Sequence, residues 1–373
     1  MVIKNIRIVL EDRVINKGFL VFENGLIKEV GEGEYQGDAF DGQGNIAMPG
    51  FIDIHIHGTA GIDFMDAREE EYPIIAKSLY QEGVTTFLAT TLTADKASLE
   101  TVCRTVNKVK DKIPSLGGIH FEGPYINVKY KGAQNEAYIR NPDIYEFDEL
   151  QRISGNNIRY ITLAPENEGA LDFIEHVHDR GVTVSAGHSD ATFEQVMFAI
   201  GKGLTNTTHT HNAMSPHHHR KPGIVTAAFY FDQLFTEFIC DTIHVCPNAL
   251  ATSYKIIGPD RFVMITDALK AKNCEMDEFE LFGLSCVKQN GAAYLTTGPL
   301  AGSLLTMDQG LRNMSYITGA NLIDLAKISS KNAAKSLHFD DRGTISVGKL
   351  ADVVLLDDTL HVKATFKLGE RVF

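Results

Sequence analysis

The sequence has few cysteines and no long apolar run, and both absences limit what the protein can be. Its five cysteines are scattered without close pairs, a pattern that favours reduced thiols over a disulfide framework. No run of about 18 apolar residues is present to cross a membrane as a helix. Residues 1–11 also lack the apolar centre of a secretory signal. We therefore expect a cytoplasmic protein.

Basic charge is in deficit as well. The chain has 35 Lys and Arg against 48 Asp and Glu, a formal net charge of −13. A nucleic-acid surface needs a basic face, so we expect no nucleic acid as partner, and the lack of a long apolar run likewise leads us to expect no membrane. A small phosphorylated ligand stays possible, because it needs only a local group of donors.

The chain is long enough for two domains or for one large α/β barrel, and its strand pattern favours the barrel. Eight strand-like segments are separated by predicted helices. These helices include Ala94–Lys110, Gly169–Arg180, Ala191–Lys202 and Pro247–Ile257. The predicted strands are Phe51–His57, Val84–Thr90, Gly117–Glu122, Arg159–Ala164, Val182–Ala186, Thr205–Thr208, Phe238–Asp241 and Arg261–Thr266. Eight such units predict an α/β fold with a TIM-like (β/α)8 barrel.

Both ends of the chain are richer in short strands than the middle. Residues 1–48 contain a hairpin signal at Asn24-Gly25, and residues 345–373 have the same character. We predict a small β-sandwich domain built from residues 1–48 and 345–373, with residues 49–344 forming the catalytic barrel. A β-hairpin insertion near 279–297, turning at Asn290-Gly291, interrupts the barrel sequence.

Residues 51–58 carry the strongest chemical signal. Isoleucines alternate there with Asp53, His55 and His57, a period of two that gives a β-strand one apolar and one polar face. Two imidazoles side by side at the end of a strand form half of a metal site.

Further potential ligands follow other predicted strands, at the end of the barrel where such enzymes keep their active sites. They are Glu122, His188, His209 and Asp267. Imidazoles and carboxylates suit Zn²⁺, with Fe²⁺, Mn²⁺ or Co²⁺ as alternatives. One or two such ions would lower the pKa of a water toward ~7 and polarise a carbonyl group.

The motifs around these residues resemble those of one enzyme family. The chain contains, in order, PGFIDIHIHG, HFEGPYIN, SAGHSDAT, THTHNAMSP, RKPG, DTIHV, TDA and LAGS. This series closely resembles the N-acetylglucosamine-6-phosphate deacetylases of the amidohydrolase superfamily, and the likeness continues through KNAAKSL and GKLADVVLLD. The resemblance implies hydrolysis of the N-acetyl group of N-acetyl-D-glucosamine 6-phosphate to D-glucosamine 6-phosphate and acetate.

The resemblance also implies roles for individual residues. Glu122, His188 and His209 match the main metal ligands, and His55 and His57 match ligands of a second ion that only some members bind. Asp267 completes the metal-binding set and matches the catalytic base and acid, which takes a proton from water and delivers it to the departing amine. His244 matches a donor that contacts substrate and stabilises the oxyanion.

Substrate-binding residues follow from the same resemblance. Arg220, Asn212 and the backbone at Ala213 would bind the 6-phosphate, and the matching arginine in similar enzymes reaches across a dimer interface, so we expect a homodimer. Gln134 stands where many relatives have a histidine that contacts the sugar. Leu300 would form an apolar wall beside the acetyl group.

Two other functions stay open at this stage. The protein could be an amidohydrolase that acts on another N-acylated or cyclic amide, in which case the phosphate would not matter for turnover. It could also be a barrel without catalytic activity that serves in binding, in which case it would hold no transition metal.

Overall fold

The computed structural model describes residues 1–373 and contains a barrel of eight parallel strands that neighbour one another in chain order. Its strands are Phe51–Ile56, Val84–Thr91, Leu116–Glu122, Ile158–Leu163, Thr183–Ala186, Leu204–Thr207, Phe235–Ile239 and Phe262–Ile265. The first and eighth strands meet through a bridge between Ile56 and Ala268. The backbone N–H of Asp267 also donates to the carbonyl oxygen of His55 over 2.8 Å, which brings these two residues to one rim. The predicted barrel is confirmed.

Helices cover the outside of the barrel with their apolar faces inward. The longer ones are Tyr72–Gln81, Lys96–Val109, Ile144–Ile153, Ala170–His178, Phe193–Ile200, Ile224–Tyr230, Pro247–Ile257 and Met307–Thr318. A last helical segment joins Leu322–Ala326, a π-helical turn at Lys327–Lys331, and Asn332–Ser336. None of the helices has both the length and the apolar character required to cross a bilayer.

The two ends of the chain form one sheet of eight strands. These are Val2–Val9, Val14–Glu23, Leu26–Glu32, Phe40–Asp41, Ile46–Pro49, Val353–Leu356, Val362–Lys367 and Glu370–Arg371. The sheet encloses its own apolar core of 14 buried residues. Asn24 and Gly25 form the predicted turn, with positive φ values of 52° and 77°. The domain boundaries at residues 48 and 345 stay a prediction.

Two local predictions need correction. The insertion near 279–297 has three strands rather than two: Glu278–Leu281, Leu284–Gln289 and Ala292–Leu295 form an antiparallel meander. The seventh barrel strand begins at Phe235 and not at Phe238. Its first half contains Thr236 and Glu237, which are polar yet fully buried, so the apolar pattern reveals only the second half of the strand.

Candidate active site

Six predicted ligands converge at the carboxyl ends of the barrel strands. Two groups have ligand atoms within 4.8 Å of one another: His55 with His57 and Asp267, and Glu122 with His188 and His209. All six side chains are buried. Strand ends distant in sequence therefore bring one set of nitrogen and oxygen donors together.

The group around Glu122 has the geometry of a cation site. The Nε2 atoms of His188 and His209 each lie 3.0 Å from Glu122 Oε1 and 3.0 Å from each other. The Nδ1–H of His188 donates to the carbonyl oxygen of Tyr130 over 2.8 Å, and that of His209 donates to Asn212 over 3.2 Å. A neutral imidazole with its proton on Nδ1 has a lone pair on Nε2. In that form the Nε2 lone pairs of both rings would be directed at the space beside Glu122 Oε1, an arrangement that fits a bound cation.

The second group shares Glu122 with the first. His57 Nε2 lies 3.1 Å from Asp267 Oδ1 and 3.3 Å from Glu122 Oε2. His55 Nε2 lies 3.4 Å from Asp267 Oδ1 and 3.4 Å from Glu122 Oε1, and this buried atom has no hydrogen-bond partner. Glu122 thus faces both groups with its two oxygens, as a carboxylate that bridges two metal ions would.

The acidic and basic groups strongly change one another's pKa values. Burial disfavours charge on Glu122, but the nearby His55 and His188 imidazoles offset it and place the pKa of Glu122 well below its ordinary value. Burial disfavours charge on His57 too, yet hydrogen bonds to Asp267 and Glu122 raise its pKa to about 9. Glu122 is therefore ionised at neutral pH, and a divalent cation would replace protons on the imidazoles when it binds.

The backbone turns sharply where three of these side chains leave their strands. His188, His209 and Asp267 have φ values of 48°, 31° and 50°. Residues other than glycine rarely adopt this left-handed backbone conformation, and residues that do so are often found at functional sites. The turn lets residues at the strand ends point across the barrel mouth.

A cavity with about 160 Å³ open to water lies over the two groups. Five predicted substrate-binding residues line it: Gln134, Asn212, Ala213, His244 and Leu300. Leu281 of the meander contributes to the same wall. Arg220 is exposed and does not line the cavity. Within a single chain, this residue therefore does not reach the site at which it is predicted to bind the phosphate.

His244 is held at the cavity by a neighbouring carboxylate. Its Nδ1–H donates to Asp241 Oδ2 over 2.6 Å. Burial disfavours charge on His244, but the hydrogen bond to Asp241 outweighs it and raises the pKa of the imidazole. With Nδ1–H committed to Asp241, the Nε2 atom carries a proton only in the imidazolium form.

Gln134 makes contacts that the sequence does not indicate. Its Oε1 accepts a hydrogen bond from the backbone N–H of Thr93 over 2.7 Å, and its Nε2–H donates to Glu122 Oε2 over 2.5 Å. Gln134 therefore orients Glu122. The amide has a second N–H that could donate to a sugar. That contact stays a prediction.

The sequence pattern does not indicate the polar layer beneath the two ligand groups. Glu237 accepts hydrogen bonds from His55 and Tyr160, and the buried imidazole of His120 lies between the hydroxyls of Thr90 and Thr162. Burial and the neighbouring His55 lower the pKa of His120 well below its ordinary value. Glu237 directly precedes the predicted strand Phe238–Asp241 and lies inside the observed strand Phe235–Ile239, so a charged residue beside a short apolar run is the signal that would have indicated it.

Comparisons with known proteins agree with this geometry. The Amidohydrolase family model matches residues 46–372. An N-acetylglucosamine-6-phosphate deacetylase of Lysinibacillus sphaericus is 40% identical over 337 residues, which cover 89% of this chain and 87% of that protein. A crystal structure of the enzyme of that name from Thermotoga maritima has a TM-score of 0.92 at 35% identity and covers 100% of this chain and 99% of that one.

A second solved structure contains a bound sugar phosphate. It is a mutant N-acetyl-D-glucosamine-6-phosphate deacetylase of Mycobacterium smegmatis in complex with N-acetyl-D-glucosamine-6-phosphate. Its TM-score is 0.95 at 29% identity, over 100% of this chain and 99% of that chain. On its motifs, fold and relatives, the chain belongs to the amidohydrolase family and, within that family, to the N-acetylglucosamine-6-phosphate deacetylases.

Proposed function

We propose that the protein hydrolyses the N-acetyl amide of N-acetyl-D-glucosamine 6-phosphate and releases acetate and D-glucosamine 6-phosphate. The main observation is the meeting of two ligand groups on Glu122, beneath a cavity lined by polar and apolar residues. Membership of the deacetylase family supplies the substrate class.

Two divalent cations fit the ligand set. Glu122, His188 and His209 would hold one, and His55, His57 and Asp267 would hold the other, with Glu122 shared. We propose Zn²⁺, with Fe²⁺, Mn²⁺ or Co²⁺ as alternatives, because imidazole and carboxylate ligands suit these metals. When bound, such cations would lower the pKa of a water molecule and polarise the acetyl carbonyl.

Asp267 is the proposed base and acid of the reaction. Burial favours its neutral form, but the imidazoles of His55 and His57 outweigh this effect and lower the pKa of Asp267. The carboxylate is therefore ready to accept a proton from the attacking water. The same proton is then delivered to the amine nitrogen as the bond between carbon and nitrogen breaks.

His244 is the proposed donor to the developing oxyanion. His244 and Asp267 both line the cavity, and Asp241 fixes the Nδ1 atom of His244, which leaves Nε2–H of the imidazolium as the available donor. Donors placed in advance at the position of new negative charge stabilise a transition state more than they stabilise the substrate.

The sugar phosphate would be held by groups around the cavity rim. We propose that Asn212 and the Ala213 backbone bind the phosphate, that Gln134 contacts the sugar, and that Leu300 limits the acyl group. Arg220 lies outside the cavity of its own chain, which is consistent with its delivery to the active site of a partner subunit. We therefore propose a homodimer in which each subunit supplies Arg220 to the other.

The deciding experiment compares substrates that differ in one group. Acetate release should be fast with N-acetylglucosamine 6-phosphate and much slower with N-acetylglucosamine at equal concentration. Equal turnover of the two would contradict the phosphate-binding role of Arg220 and favour an amidohydrolase with another amide substrate.

The five free cysteines suit the reducing cytoplasm that we propose as the location of the enzyme.

A further inference from the structure

Glu237 belongs to the seventh barrel strand. It lies beneath the group formed by His55, His57 and Asp267 and is hydrogen-bonded to His55. Its side chain has 0% exposure to solvent. One oxygen, Oε2, accepts hydrogen bonds from His55 Nδ1–H and from the backbone N–H of His209, each over 3.2 Å. The other oxygen, Oε1, accepts from the hydroxyl of Tyr160 over 2.5 Å. Both oxygens are therefore engaged.

The hydrogen bond from His55 decides which of its nitrogens can bind a cation. A proton on Nδ1 leaves the lone pair of the neutral ring on Nε2. That atom faces Asp267 Oδ1 and Glu122 Oε1, each at 3.4 Å. The edge of the His120 ring also contacts His55, with ring centroids 4.6 Å apart, but no atom other than Glu237 Oε2 is hydrogen-bonded to His55 Nδ1.

Charge gives Glu237 a second effect on the same site. Glu237, Glu122 and Asp267 are buried together, and none of them forms a salt bridge with a lysine or arginine. A buried anion without a compensating cation is costly. A cation bound beside His55, His57 and Asp267 would offset this cost.

We propose that Glu237 is a positioning residue that fixes the tautomer of His55 and favours occupancy of the second cation site. This inference builds on the two-cation site of the proposed function. Mutation of a residue that is hydrogen-bonded to a metal ligand commonly lowers metal affinity by about 10- to 100-fold. Glu237 should influence the site of His188, His209 and Glu122 less, because backbone carbonyls orient both of those imidazoles and its contact with His209 is with the backbone N–H and not with the ring.

The test measures zinc binding by the full-length protein and not only its activity. Metal-free wild type and Glu237→Gln are titrated with Zn²⁺ against a chelating indicator, and retained zinc is measured by atomic emission after dialysis. We expect wild type to retain two zinc ions per chain. Glu237→Gln should bind its second ion about 10- to 100-fold more weakly, while affinity for the first changes less than threefold.

Tyr160→Phe is the matched control. It removes the other side-chain hydrogen bond to Glu237 but leaves the charge and the contact with His55. The control should retain two zinc ions. Equal affinities of wild type and Glu237→Gln for both ions would overturn the inference and leave the proposed function intact, whereas a wild type that binds no zinc would overturn both.

A measurement on the wild type decides the matter if the Glu237 variants do not fold. Histidine labelled with ¹⁵N reports which ring nitrogen carries the proton in the zinc-loaded protein. We expect His55 to be protonated at Nδ1 and to bind zinc through Nε2. Zinc on Nδ1, or an Nδ1 without a proton, would overturn the assignment of Glu237.

Discussion

Replacement of Asp267 by asparagine separates proton transfer from the rest of the site. The carboxylate is buried, with Oδ1 at 3.1 Å from His57 Nε2 and 3.4 Å from His55 Nε2. Asparagine has the same shape and keeps one carbonyl oxygen that can serve as a ligand, but its amide cannot accept and return a proton at neutral pH. The variant should therefore fold and retain metal at the site of Glu122, His188 and His209.

The loss of general base and acid catalysis predicts the size of the effect. Such a group commonly contributes about 10²- to 10⁴-fold to the rate, or about 3 to 5 kcal/mol of activation free energy at 1.36 kcal/mol for each factor of ten. Acetate release under saturating substrate measures kcat, and atomic emission measures metal in the same preparation. We expect kcat to fall by about 10²-fold or more, with a smaller change in KM.

Asp63→Asn provides the control for this substitution. Asp63 is also a buried aspartate near the mouth of the barrel, but it accepts a hydrogen bond from the backbone N–H of Met65 and lies outside both ligand groups. Its variant should have a kcat within a few-fold of wild type. A wild-type kcat in Asp267→Asn, with metal retained, would refute the assignment of proton transfer to Asp267.

Three further predictions follow from contacts in the structure. Arg220→Ala should raise KM for the sugar phosphate about 10- to 100-fold, because a charge-assisted hydrogen bond contributes ~1.5–3 kcal/mol; an unchanged KM would remove Arg220 from phosphate binding. Asp241→Asn should lower the pKa of His244, whose raised value depends on that carboxylate, so activity that needs the imidazolium should decline at lower pH than in wild type; coincident pH profiles of kcat/KM would contradict this role. Asp53→Ala leaves the buried N–H and hydroxyl of Thr266 without their acceptor and should lower the free energy of unfolding by about 1–3 kcal/mol, which chemical denaturation would measure.

The barrel and most of the residues that converge at its mouth could be predicted because their signals are local. Alternation of isoleucine with Asp53, His55 and His57 marks a strand with one polar face, and that strand forms at Phe51–Ile56. Residues that directly follow predicted strands then share one rim, since the ends of parallel strands in a barrel lie together. Their contacts around Glu122 show that these side chains converge as predicted, and their role as metal ligands stays a prediction.

Other features depend on contacts between distant segments and leave little trace in the sequence. Glu237 interrupts the apolar pattern of its strand, because its partners are the side chains of His55 and Tyr160 from other strands. The contact of Gln134 with Glu122 joins a loop to the end of a strand. Arg220 shows the opposite case: it is exposed in a single chain, so its predicted role needs a second copy.

Metal removal tests most directly whether the six converging side chains form a metal site on which hydrolysis depends. Acetate release from N-acetylglucosamine 6-phosphate should be measured before removal of metal with a chelator, after removal, and after addition of Zn²⁺ to the stripped protein, with the metal content measured at each step. Activity should disappear with the metal and return when Zn²⁺ binds, since imidazole and carboxylate lone pairs meet at a common centre. Undiminished acetate release from protein that retains no metal would contradict the account.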